Sequence, residues 1–368
     1  MGINLAGVIF ANVGEVNIPE LTSKRTIASV PFGGKYRMVD FPLSNMSNCG
    51  VDNVAIIVRN HFHSLMDHVG SGIAWDLSKR RSGLSILSPY KGHSFRHRIE
   101  AMHHLDGYFE QLQEEYILIA TSNCAASIDY KKMFEQHLLT GADITLMYKE
   151  MEIPKKADNP LVLNTDDEGR ITKLLIAPEV EGKCKLSTGS MIIKRDLLMS
   201  LVKKCMSENK LDFRRNLLQD NLGKLKMQGY RFQGHVSLIH SIEDYYAENM
   251  KLMDKDLRAE LFNPDRPIYT KVRDDAPCRY GLTSKVKNSL VAQGCIIDGE
   301  VENSILSKGV IIGKGAKVSG CIIMQDTKIG EGAELCNVIV DKDVIVTEGH
   351  TLSGTDTYPI YVAKQSTV

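Results

Sequence analysis

Residues 301–354, VENSILSKGVIIGKGAKVSGCIIMQDTKIGEGAELCNVIVDKDVIVTEGHTLSG, repeat themselves every seventeen positions. Val301, Val318, Leu335 and Leu352 form one column, and Ile305, Ile322 and Ile339 a second. Ile312, Ile329 and Val346 form a third, and Gly315, Gly332 and Gly349 a fourth. A single seventeen-residue coil cannot bury its own apolar edge, so like positions must stack, with branched residues inside and glycine at a corner. A meander of hairpins would not hold four columns in register. The pattern therefore predicts four stacked coils of a parallel β-helix with hexapeptide-type turns over residues 285–368. Its handedness does not follow from the period. Such a solenoid ends in open strand edges that need a cap or a partner.

Upstream, residues 262–280, FNPDRPIYTKVRDDAPCRY, carry three prolines and many charges without a period. Residues 262–284 read as a linker. Residues 1–261 alternate short apolar runs with amphipathic stretches. Strands are expected at 4–11, 53–58, 116–121, 144–150, 161–164 and 190–194. Helices are expected at 42–49, 61–69, 100–112, 130–137, 196–205 and 241–261. That alternation predicts an α/β domain with a doubly wound, mostly parallel sheet, whose ligands sit beyond the strand C-termini.

The chain has 368 residues, 43% of them hydrophobic and 24% charged, enough for two folded domains. Lys+Arg and Asp+Glu both number 45, so no global basic field draws nucleic acid or a membrane surface, and any anion site must be local. The eight cysteines contain no Cys-x-x-Cys pair and no zinc spacing, which suits a reduced cytoplasmic setting. The apolar run after Met1-Gly2 is too short to span a bilayer and lacks a basic flank. Ala6 also stands where a myristoylation signal wants Ser or Thr.

One stretch concentrates turn and charge: SVPFGGKYRMVDFPLSN, residues 29–45. Gly33 and Gly34 allow positive φ and close backbone approach, and Lys35 and Arg37 supply cations for an anion. This stretch resembles the Pro-Phe-Gly-Gly-Lys-Tyr-Arg-x-x-Asp-Phe segment of ADP-glucose pyrophosphorylases, the glucose-1-phosphate adenylyltransferases among the sugar-phosphate nucleotidyltransferases. Further similarity follows in order: His63-Ser64-Leu65 with Gly72 and Trp75-Asp76, Asp129-Tyr130, Ser187-Thr188-Gly189, Asp212-Phe213 and Glu248-Asn249-Met250. The resemblance covers essentially the whole chain. It implies a nucleotidyltransferase-like domain followed by a left-handed parallel β-helix.

The resemblance also implies a chemistry. In that family the phosphate of glucose 1-phosphate attacks the α-phosphorus of ATP, and Mg²⁺ with protein cations neutralises the two polyanions. The family's glycine-rich Gly-Gly-x-Gly-Thr-Arg-Leu loop falls on Gly7-Val8-Ile9-Phe10-Ala11-Asn12-Val13-Gly14-Glu15, which lacks the arginine. One metal aspartate falls on Asn123, a much weaker ligand, and the other on Leu238, which cannot ligate. The lysine that pairs with glucose 1-phosphate falls on Ala177, within Ile176-Ala177-Pro178. A second family lysine falls on Ile27, and the turn near the base falls on His97-Arg98-Ile99.

Loss of these groups together removes the electrostatic preorganisation on which phosphoryl transfer depends. No catalytic residue and no metal site are therefore assigned, and Mg²⁺ is expected only in a catalytic partner. The pattern resembles the non-catalytic, regulatory subunit that some bacteria pair with a catalytic ADP-glucose pyrophosphorylase subunit, which implies a heterotetramer. Gly33, Gly34, Lys35 and Arg37 then read as an effector-binding or subunit-contact region for a sugar phosphate or similar anion. The alternatives are a weakly active nucleotidyltransferase and a homo-oligomeric sugar-phosphate sensor.

Other signals are weaker. His61, His63, His93, His97 and His103-His104 read as polar surface histidines, since no carboxylate or cysteine stands at ligand spacing with them. Lys79-Arg80-Arg81 with Arg96 and Arg98 reads either as a second anion site or as a solvated basic loop. Asp166-Asp167-Glu168-Gly169 reads as a hairpin turn. A β-helix acyltransferase needs a histidine base within its coils, and the coils hold none before His350.

Overall fold

The computed structural model describes residues 3–14, 18–78, 82–89 and 95–368. Met1-Gly2, Glu15, Lys79-Arg80-Arg81 and His93 lie outside the described residues, and so do the readings that rest on them.

The N-terminal domain is built on nine strands: β1 (Leu5–Phe10), β2 (Val54–Ile57), β3 (Leu84–Leu87), β4 (Tyr116–Thr121), β5 (Ile144–Met151), β6 (Leu161–Thr165), β7 (Ile171–Ile176), β8 (Cys184–Lys194) and β9 (Met227–Arg231). They lie in the order β7-β6-β8-β4-β1-β2-β3, with β5 also on β8 and β9 on β5. The strand β1, LAGVIF, is buried at every position, as a strand covered on both faces must be. Pairing within β4-β1-β2-β3 is parallel, the doubly wound half that alternation predicts. The other half is mixed: β8 runs antiparallel to β4, β5 and β6. Buried strands of either direction carry the same continuous apolar runs, so the sequence does not separate them.

The register of β8 shifts between Ser187 and Met191. A Cβ on Gly189 (φ +83°) would lie 2.4 Å from Thr121 Cγ2, so only glycine lets the bulged strand cross the end of β4. The Ser187-Thr188-Gly189 motif is thus the point where the sheet divides.

Two expected helices are broken. Residues 100–112 form Arg98–His104 and Asp106–Gln111, separated at Leu105. Residues 241–261 form Ile242–Met250, a 3-10 turn Lys251–Met253, and Lys255–Leu261. Each of the latter helices has its own N-cap: the Ser241 hydroxyl accepts from the Asp244 amide, and the Asp254 carboxylate accepts from the amides of Asp256 and Leu257. The hairpin turn at Asp166 is present, its carboxylate accepting from the amides of Glu168 and Arg170.

The C-terminal domain is a parallel β-helix with three sheets of five strands each, one more coil than the seventeen-residue columns count. Its first strand, Arg279–Tyr280, pairs in parallel with Ile296–Ile297, so the solenoid begins inside the stretch read as linker. The columns hold as read: Val301 pairs with Val318, Val318 with Leu335, and Leu335 with Leu352. The extra coil escapes them because Val286 precedes Val301, its partner, by only fifteen residues. Besides the glycine column, two further corners have positive φ: Asn288, Asn303, Gly320 and Asn337, and Gly294, Gly309, Asp326 and Asp343. Asn, Asp and Gly all tolerate the left-handed region, so these corners share a conformation without sharing a residue type.

The two domains share one apolar core. Val30, Phe32, Phe41, Tyr245 and Leu252 pack with Ile322, Met324 and Ile339 of the solenoid. Arg25 and Asp341, both buried, form an ion pair across the same contact, and Asp341 also accepts from the Tyr361 hydroxyl at 2.7 Å.

Candidate functional site

Two ligand-sized regions follow from this architecture. The first is the cleft at the C-terminal ends of β1 and β4, where parallel α/β sheets place their ligands. The second is the joint where residues 29–45 meet the solenoid.

In the cleft, the two positions matched to metal aspartates are brought together. A two-stranded ribbon pairs Cys124 with Leu238, and beside it the Ile239 amide donates to the Asn123 carbonyl at 2.9 Å. The Asn123 side-chain amide donates to the Ile239 carbonyl at 3.3 Å, and both Asn123 and Leu238 are buried. Leu238 packs into the apolar core behind the ribbon. The cavity they line, with Leu146, Leu161, Met191 and Phe213 in its walls, measures about 70 Å³. Pockets for drug-sized ligands run to about 300–1,000 Å³, so this one is tight for a nucleotide sugar.

Among the described residues lining the cavity, Asp158 is the one carboxylate. Arg98, read as part of either a second anion site or a solvated basic loop, is buried, and its guanidinium lies over the rings of Phe10 and Phe213, 4.9 and 5.7 Å from their centroids. Its side chain also fills the space beside Gly14, with Cγ 3.3 Å from where a Cβ there would stand. Burial, and then the nearby Arg214, push His240 down to about 4, so it is neutral at pH 7. Ala177 sits exposed after β7 with φ +49°, donating its amide to the Pro160 carbonyl at 2.8 Å. Ile27 opens a buried 3-10 turn. No group of three or more His, Cys, Asp or Glu that could hold a metal occurs among the described residues.

The joint is different. Pro31–Phe32 and Tyr36–Arg37 form a tight hairpin whose turn is Gly33-Gly34-Lys35. At Gly34 (φ +76°) a Cβ would lie 3.1 Å from Ile305 Cγ2 and 3.4 Å from the Leu306 carbonyl oxygen. The glycine permits close approach, as the sequence suggests, but to the protein's own solenoid. The Gly33 amide donates to the Asn249 side chain at 2.8 Å, so it is not an anion-binding donor, and the Glu248-Asn249-Met250 motif gains a structural role. Arg37 is tethered, donating to the Ser64 carbonyl at 2.7 Å and to its hydroxyl at 3.0 Å, with burial lowering its pKa. Asp40 caps the turn by accepting from the Arg37 amide at 2.9 Å and pairs with His68 at 2.6 Å. Burial lowers the His68 pKa despite that carboxylate.

Two cavities flank the turn. One, of about 320 Å³, is lined by Lys35, Arg37, Lys271, Arg273, Lys308 and Lys342, with Asp67 the one carboxylate among the described residues lining it. Burial, and then Arg37 and Arg25, push Lys342 down to about 7. The other, of about 660 Å³, is lined by Lys35, Lys255, Arg258 and Lys308 beside the stacked rings of Tyr36 and Phe262, 4.7 Å apart, and no carboxylate among the described residues lines it. Gly34 and Lys35 line both cavities, Gly33 only the second and Arg37 only the first. Sequence reading missed Lys308 and Lys342, which share no local motif with them. It passed over Lys271 and Arg273, although the Thr-Lys-Val-Arg run in the linker marked them.

Residues 18–252 match the nucleotidyl transferase family, and residues 274–358 match the GlmU-like C-terminal hexapeptide family. The glycogen biosynthesis protein GlgD of Bacillus subtilis (strain 168) is 34% identical over 321 residues, covering 85% of this chain and 82% of that protein. GlgD of Geobacillus stearothermophilus is 35% identical over 346 residues, covering 86% and 84%. The glucose-1-phosphate adenylyltransferase of Halalkalibacterium halodurans is 33% identical over 322 residues, covering 85% and 84%. The chain therefore belongs to the nucleotidyl transferase family as a GlgD-like member with a GlmU-like hexapeptide β-helix.

Proposed function

We propose that this chain is a regulatory, catalytically inactive subunit of an ADP-glucose pyrophosphorylase, acting in glycogen biosynthesis in the cytoplasm. One observation carries the proposal: the two positions matched to metal carboxylates lie side by side in the cleft and hold an amide and a leucine. Asn123 offers one neutral oxygen and Leu238 none, so the residues present do not fit Mg²⁺. The position matched to the sugar-phosphate lysine is Ala177, and in the cleft Arg98 packs beside Gly14.

The role left to the chain is to pair with a catalytic homologue in a heterotetramer. There the Lys35 joint takes a sugar-phosphate or similar anionic effector and biases the partner. Two cationic cavities at a domain junction, both lined by Lys35, support an effector site there. An effector acts only by binding two states of the assembly unequally, and a site built from both domains is where such states differ. No nucleic acid or membrane partner is proposed: net charge is zero, and no described helix is long and apolar enough to cross a bilayer.

The test compares ADP-glucose synthesis by this chain alone, by the catalytic homologue alone and by the co-expressed pair. The chain alone should fall at least about a thousandfold below the homologue, the scale expected when several charge-stabilising groups are lost. The pair should differ from the homologue in rate or effector response. Turnover by the chain near that of the homologue, or a pair that behaves as the sum of its parts, contradicts the proposal.

A further inference from the structure

The start of the solenoid places two thiols against each other. Arg279 pairs in parallel with Ile296, and the residue before each is a cysteine. The Arg279 amide donates to the Cys295 carbonyl at 2.9 Å, and the Gly294 amide donates to the Ala276 carbonyl at 2.8 Å, fixing the register on both sides. In-register neighbours on parallel strands point the same way and lie within the Cα separation that a disulfide accepts. Cys295 is fully buried in the solenoid core, and Cys278, half-buried, packs against the same core. The Cys278 thiol contacts the Ala292 carbonyl at 3.0 Å and the Cys295 thiol the Ser307 carbonyl at 3.2 Å.

We propose that Cys278 and Cys295 form a peroxide-responsive dithiol, closing into an intrachain disulfide that ties the linker to the first complete coil. Cys278 meets the oxidant: its thiol releases a proton, the thiolate attacks one oxygen of hydrogen peroxide, the O–O bond breaks, and the departing hydroxide takes up that proton, leaving a sulfenic acid and one water. Cys295 then attacks the sulfenic sulfur, the S–O bond breaks, the S–S bond forms, and a second water leaves. Two thiols and one peroxide thus give one disulfide and two waters. This assignment of roles follows from position. Cys295 is shut inside the core, away from the oxidant but beside Cys278, so it takes the resolving step.

The pair is distinct among the cysteines of the solenoid. Cys336 is exposed, but its ladder neighbours are Ser319 and Ser353. Cys321 precedes Ile322, whose partners are Ile305 and Ile339, so its ladder neighbours are Ser304 and Val338. Closing Cys278 onto Cys295 would fix the strap that carries Lys271 and Arg273 over the anion cavity.

The test treats the full chain with hydrogen peroxide, blocks free thiols with N-ethylmaleimide, and maps non-reduced peptides. The proposal expects a Cys278–Cys295 linked peptide lighter by two hydrogens and split by dithiothreitol, with an upward shift in Tm that Cys278→Ser abolishes. In Cys295→Ser, Cys278 should instead accumulate a dimedone-trappable sulfenic acid. Full alkylation of Cys278 while Cys336 oxidises would overturn the proposal. So would equal dimedone trapping of Cys278 with and without Cys295. Neither readout depends on ADP-glucose synthesis, so failure here leaves the regulatory proposal standing.

Discussion

The cleft at the ends of β1 and β4 and the joint around Lys35 both open space inside one family scaffold, and they differ in the charge that faces it. In the cleft, the positions matched by resemblance to metal carboxylates hold Asn123 and Leu238, and the cavity they line measures about 70 Å³. At the joint, cations from both domains converge on cavities of about 320 and 660 Å³. Among the described residues, charge is thus sparse in the cleft and gathered at the joint, the contrast on which the proposed regulatory role rests. Two sites on one fold depend on different residues, so one can change while the other is kept.

The largest expected effect is at the junction itself. Asp341→Ala leaves Arg25 buried without its carboxylate and removes the acceptor of the Tyr361 hydroxyl. It should lower stability by about 4 kcal/mol, the scale for breaking a buried pair from one side. Chemical denaturation measures this, and a loss under about 1 kcal/mol would mean that the domains are not held through this pair.

The cleft gives the next largest. Asn123→Asp with Leu238→Asp restores both carboxylates, yet should not restore turnover, because the phosphate-loop arginine and the Ala177 lysine are still missing. Two carboxylates in a tight, partly apolar site should also cost about 3 kcal/mol of stability. ADP-glucose formation by the double variant would show that the contrast between the two regions is overdrawn.

A smaller effect is carried by Lys342, held near 7 against the ordinary lysine value of 10.5. Between those values the folded protein binds fewer protons at this amine than the unfolded chain does, so this group makes stability rise with pH. Below about 7 the amine is protonated in both states and the slope vanishes. The gain from about pH 7 to about pH 9 should be about 2 kcal/mol, and Lys342→Met should flatten it. A polyanion in the cavity should flatten it too, by favouring the charged amine. A slope that neither change alters would remove Lys342 from the cavity's electrostatics.

The smallest structural effect, and the most informative functional one, belongs to Lys35. Its side chain is exposed, so Lys35→Ala should leave Tm nearly unchanged. It should still alter the effector response of the co-expressed pair about fivefold or more, a modest coupling free energy. An unchanged response would return the turn to plain architecture.

Much of the scaffold was legible in the sequence, and the limits were physical. The seventeen-residue columns announced the solenoid because identical residues recur where coils stack. The first coil stayed hidden because it is two residues shorter and its corners use Asn and Gly interchangeably. The positions of Asn123 and Leu238 were readable only through family resemblance, since nothing local says that residues so far apart share a ribbon. At Gly33-Gly34 the need for positive φ was readable, but the object approached was not. It is Ile305 and Leu306 of the solenoid, a contact that exists only once both domains have folded.

Synthesis of ADP-glucose from ATP and glucose 1-phosphate, assayed with this chain alone, with the catalytic homologue alone and with the two co-expressed, tests the account most directly. The account predicts turnover at least about a thousandfold below the homologue for the isolated chain, and a co-expressed pair whose rate or effector response differs from that of the homologue. Turnover by the isolated chain comparable to that of the homologue would contradict it, whatever the joint binds.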